Sequence, residues 1–133
     1  MSISGVRSAI NTALDTISGL RTFATLPDTI NEFPAVFVMP RSGEYDYDVG
    51  GDMTHKYEIV LLIRRWGEVT EAQDDLDPYC DEAGTYSIKA AVDAATLSTY
   101  ADAIRVTGFR DYGGIEFAGI NYIGVRFDVD VIT

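Results

Sequence analysis

The chain has 133 residues, 47% apolar and 23% charged, a balance that excludes a disordered protein and leaves room for one hydrophobic core, so one domain is expected. Ten Lys and Arg stand against 21 Asp and Glu, and the formal charge of -11 repels phosphates and argues against a nucleic-acid-binding module. The lone cysteine, Cys80, excludes an intrachain disulfide and fits a reducing cytoplasm.

No apolar run approaches the length of a membrane span, and residues 1–12 lack a signal-peptide pattern. The acidity reads most simply as a charge excess that keeps the protein soluble. A passage lined with carboxylates would also let DNA slide through without sticking.

Ile3, Val6, Ile10, Ala13, Leu14 and Ile17 recur at spacings of three and four, which predicts an amphipathic helix stopped near Gly19. Leu20 to Pro34, with two prolines, reads as a loop. Ala35 to Met39, bracketed by Pro34 and Pro40, reads as a first strand. Tyr45, Asp46, Tyr47 and Asp48 lead into Gly50-Gly51 and read as an extended hairpin arm. The returning strand spans Met53 to Trp66, its centre buried on both sides, with Tyr57, Ile59, Leu61 and Ile63 on one face and His55, Val60, Leu62 and Arg64 about the other.

Thr70 to Glu82 has helical spacing that Pro78 should kink or interrupt, and Ser87 to Ala95 predicts a second short helix. Ala103 to Tyr112 has β character, and Gly113-Gly114 signals a turn. From Asn121 to Ile132 apolar and polar residues alternate, the pattern of a strand with one buried face. The order predicts an α+β fold, a mixed or antiparallel sheet with helices packed on one face and one long hairpin arm.

The acidic residues Asp74, Asp75, Asp77, Asp81 and Glu82 invite a metal reading, but they lack calcium-loop spacing, and a helix flank coated with carboxylates is normally solvated. His55, the single histidine, would have to serve any Ser/His/Asp or Cys/His arrangement, and reads as an ordinary strand histidine near the surface. Cys80 reads as a small core residue. The paired glycines lack the Lys-Ser or Lys-Thr of a phosphate loop. Neither a catalytic residue, a metal site nor a cofactor is expected.

Arg64 and Arg65 beside Trp66, and Tyr45 and Tyr47 on the arm, are residue types that protein interfaces favour. In layout the chain resembles the tail terminator family of long-tailed bacteriophages, also described as tail-completion or head-tail joining proteins. The resemblance lies in the amphipathic first helix, in Phe33-Pro34-Ala35-Val36-Phe37-Val38 and in the long strand from Lys56 to Ile63. It continues through Ala72-Gln73-Asp74-Asp75-Leu76 and Tyr86 to Ala91, and closes with Tyr122 to Val129.

The resemblance implies a non-catalytic virion protein, assembled in the host cytoplasm, whose hexameric ring caps the head-proximal end of the tail tube. Its partners would be other copies of itself, the tube protein and a head-tail connector or stopper, with DNA passing through unbound. On that reading Tyr45, Tyr47, Arg64 and Arg65 contribute to subunit contacts, while Asp46 and Asp48 face the lumen. The alternatives are another neck or tail subunit (a stopper, a connector or a tube protein), or a metal-dependent nuclease built on the acidic helix.

Overall fold

A computed structural model describes residues 3–17, 19–23, 30, 32–44, 54–65, 72–94 and 103–132. The elements are helix α1 (Ile3–Leu14), strands β1 (Arg21–Phe23), β2 (Ala35–Glu44) and β3 (Thr54–Arg65), helices α2 (Ala72–Cys80) and α3 (Ile88–Asp93), and strands β4 (Ala103–Phe117) and β5 (Ile120–Ile132). The five strands form one mixed, open sheet in the order β1-β2-β3-β5-β4. Only the β1 to β2 pairing is parallel. The fold is α+β, as the element order predicts.

Strand periodicity divides the sheet into two unlike faces. Odd-numbered positions of β3 and β5, among them Ile59, Leu61, Val125 and Val129, join Val36 and Val38 of β2 under the helices. There they meet Val6, Ile10 and Leu14 of α1, Leu76 of α2, and Ile88 and Val92 of α3. The spacing of three and four in α1 thus buries one helical stripe. On the opposite face a smaller cluster forms from Ile30, Ala35, Phe37, Val60, Leu62, Ile115 and Tyr122. The centre of β3 is therefore buried on both sides, as its apolar run predicts.

Four expectations change. The segment from Leu20 to Pro34, expected as a loop, contributes the three-residue strand β1, held beside β2 by the register Arg21 to Ala35. The first strand continues past Pro40 to Glu44, and its register with β3 slips at that proline, which cannot donate a ladder hydrogen bond. Gly113-Gly114 does not turn the chain: both lie within β4, after a second slip between Arg110 and Gly113, and the reversal falls at Ala118-Gly119. His55 is 5% exposed and faces the helices, because it shares the parity of Tyr57 rather than that of Val60. Tyr45 to Asp48 lie outside the described residues.

The long edge strand β4 is fastened from outside. Ser87 caps α3, its hydroxyl accepting from Ala90 N and donating to Asp81 O. From α3, Asp93 Oδ1 accepts from Val106 N at 3.0 Å, and Lys89 Nζ donates to Val106 O at 3.2 Å and to Asp93 Oδ2 at 2.7 Å. Beside those bonds β4 slips register between Val106 and Gly108.

Two backbone positions yield stability predictions. A Cβ on Gly124 would fall 2.0 Å from the Leu61 carbonyl oxygen, so Gly124→Ala must push β3 and β5 apart and should cost about 3 kcal/mol in urea unfolding. Ala118 has φ 52 and is followed by Gly119 at φ 81, the two-residue hairpin geometry that prefers Asn-Gly. Ala118→Asn should raise stability by about 1 kcal/mol in the same measurement.

Candidate functional site

On the face away from the helices, the half of the sheet not occupied by the second apolar cluster is a plate of charges. β3 supplies Lys56 and Glu58, β5 supplies Arg126, Asp128 and Asp130, and β2 supplies Arg41. β4 adds Arg110 and Asp111, and Arg105 opposes Asp130 while its neighbours Ile104 and Val106 turn to the main core. Asp111 has φ 56 at the register slip, a left-handed conformation that Asp tolerates better than most residues, and its carboxylate reaches the same plate.

Glu58 is the centre. It is 6% exposed, and its Oε1 accepts from Arg110 Nη2 at 2.5 Å and from Arg126 Nη1 at 3.2 Å. Arg110 also donates from Nε to Asp128 Oδ1 at 3.1 Å and from Nη1 to Asp111 Oδ2 at 3.0 Å. Arg126 Nε lies 3.1 Å from Asp111 Oδ2 as an ionic contact without hydrogen-bond alignment. At the rim, Arg41 Nη1 reaches Asp128 Oδ1 at 3.2 Å and Lys56 Nζ approaches Asp130 Oδ1 at 3.6 Å.

Burial acts to lower the pKa of Arg110, but the Asp128 hydrogen bond and the charges of Glu58, Asp128 and Asp111 outweigh it and raise the pKa above its ordinary value. The guanidinium stays charged at any working pH. These side chains are fixed donors and acceptors, suited to matching a surface of opposite charges.

The helix side carries a second, different surface. Tyr79 of α2 packs edge-on against Tyr86, with ring centroids 5.9 Å apart, and the Tyr112 hydroxyl donates to Asp77 Oδ1 at 2.5 Å. Phe109, 51% exposed, leans on Tyr112 and Phe127, and Tyr86 is 43% exposed. Asp81 and Glu82 are exposed on the loop that Ser87 holds, so aromatic rings and carboxylates share this strip. Burial, reinforced by Asp77 and Asp81, pushes the Cys80 thiol up to about 11. Burial and the neighbouring Tyr86 likewise raise the Tyr79 hydroxyl.

The residues singled out in the sequence lie elsewhere. Arg64 pairs with Asp75 in a cleft formed by Phe33, Pro34, Ile63 and Tyr79, and Arg65 is exposed at the end of β3. Both stand at the far end of β3 from Lys56 and Glu58. Tyr45, Asp46, Tyr47, Asp48 and Trp66 lie outside the described residues, as does the side chain of Asp74. Of the other acidic residues read as a candidate metal cluster, Asp75 is taken by Arg64 and Asp77 by Tyr112.

The plate escaped sequence reasoning, although a signal existed. Lys56 and Glu58 on one strand, and Arg126, Asp128 and Asp130 on another, place opposite charges at period-two spacing on the less apolar face.

Two outcomes follow. Glu58→Gln keeps the shape but leaves Arg110 and Arg126 facing a neutral amide, and should cost about 2 kcal/mol in urea unfolding, discounted for the partial exposure of both arginines. Cys80 should resist a thiol reagent at pH 7.5 in the native state and react promptly in denaturant, since its pKa of about 11 leaves almost no thiolate. The chain matches no model of a known protein family and no curated protein.

Proposed function

We propose that the protein is a structural subunit of a long-tailed bacteriophage, assembling as a ring, hexameric in the family it resembles, at the head-proximal end of the tail tube. There it would end tube growth and offer a face to the head connector. It works without catalysis, by matching surfaces, and DNA passes through the ring unbound.

One observation carries this reading: a single sheet layer bears two exposed surfaces of unlike chemistry, the charged plate on one side and the aromatic, acidic strip on the other. Unlike surfaces suit head-to-tail association of identical copies, which closes into a ring when the rotation per copy divides a full turn. The α+β layout with an amphipathic first helix and a long central strand is also the layout of the resemblance described for the sequence.

The test is the mass of the purified protein by light scattering over a hundredfold range of concentration, with negative-stain images of the same samples. Closed rings of about six copies whose size does not grow with concentration are expected. Long polymers would indicate a tube subunit instead, and a protein that stays monomeric throughout would overturn self-assembly into rings.

A further inference from the structure

We infer that the charged plate of one copy is the docking site for the acidic, aromatic strip of the next, so that these two surfaces form the lateral contact of the assembly. The inference rests on the ring reading and deepens it, because the same surfaces could otherwise face the tube or the connector.

Charge distribution is the first argument. Among the described side chains, five cations, Arg41, Lys56, Arg105, Arg110 and Arg126, stand on the plate against four carboxylates, Glu58, Asp111, Asp128 and Asp130. On a chain of charge -11 this is a local excess of positive charge. The strip is its complement: Asp81 and Glu82 are exposed, and neither forms an ion pair among the described residues. On the plate Arg105 is likewise exposed and free of an ion pair among the described residues. Among the described residues each surface thus holds exposed charge without an ion pair, opposite in sign to that of the other.

Geometry is the second. The helices and the loop carrying Asp81, Glu82 and Tyr86 lie on one face of the sheet, and the plate lies on the other. Copies joined plate to strip therefore follow one another in a single direction, each leaving a plate and a strip for its neighbours. The exposed ring of Tyr86 supplies an aromatic anchor of the kind that contributes most at interfaces, and a guanidinium such as that of Arg105 can lie over its face.

A polyanion such as DNA suits the plate less well, since Asp111, Asp128 and Asp130 stand among the cations and would face its phosphates. The strip of a second copy carries a few exposed carboxylates, Asp81 and Glu82 among them, rather than a continuous row of phosphates.

The experiment reverses each surface in the full chain. Lys56→Glu with Arg105→Glu inverts the plate rim, and Asp81→Arg with Glu82→Arg inverts the strip. Thermal unfolding by circular dichroism checks that each variant folds, and the single reversals Arg105→Glu and Glu82→Arg replace any that does not. Each reversed variant alone should associate at least about tenfold more weakly than wild type by light scattering. An equimolar mixture should recover assembly, because every contact in an alternating ring is then complementary.

Variants that assemble like wild type, or a mixture that fails to recover, would overturn the inference. Rings untouched by either reversal would leave the ring reading standing without it. Open filaments that dissolve on reversal and return on mixing would keep the inference and overturn the ring.

Discussion

Glu58 is the one carboxylate of the central strand β3, and the charged half of the sheet is organised around it. Two arginines from β4 and β5 converge on a single oxygen, so the carboxylate fastens the edge strand to the middle of the sheet across an intervening strand. Arg110 then fixes Asp128 and Asp111, and Asp128 in turn receives Arg41 from β2. A charge-assisted chain of this kind spans four of the five strands, and its geometry depends on the slip at Arg110 that brings Asp111 within reach. A carboxylate shielded from water is costly unless every partner is present, which ties the register of β4 to the identity of one residue on β3.

The two faces of the sheet divide the labour of the molecule. Under the helices, aliphatic side chains from α1, β3 and β5 exclude water and supply most of the burial. The other face is split between a small aromatic cluster at one end, where Phe37 meets Phe117 and Phe33 meets Tyr122, and the charged plate at the other. The main apolar core and the charged plate thus lie on different sides of the same strands. Variation on the plate rim can therefore leave the main core untouched.

The fold was legible where burial writes a period into the sequence. The three-and-four spacing of Val6, Ile10 and Leu14 and the alternation from Ile123 to Val131 specify their elements and which side faces inward. Short or irregular features left no such mark. β1 is three residues held by pairing with β2, and no local pattern announces it. Gly113-Gly114 carries the composition of a turn, yet cross-strand pairing with Ile123 and Gly124 keeps it in β4. The plate was readable only in part, because opposite charges at period two are visible on each strand while their convergence on Glu58 depends on strand order, which periodicity does not encode.

The fastening of β4 to α3 bears on what the sheet can do in company. Val106 has both its amide and its carbonyl engaged by Asp93 and Lys89, and the strand is twice interrupted by register slips. Among the described residues β4 therefore does not offer one long, regular row of free backbone groups on which another strand could template itself. That edge is thereby guarded against runaway cross-β stacking, so copies crowded together at high concentration would not fuse their sheets through β4.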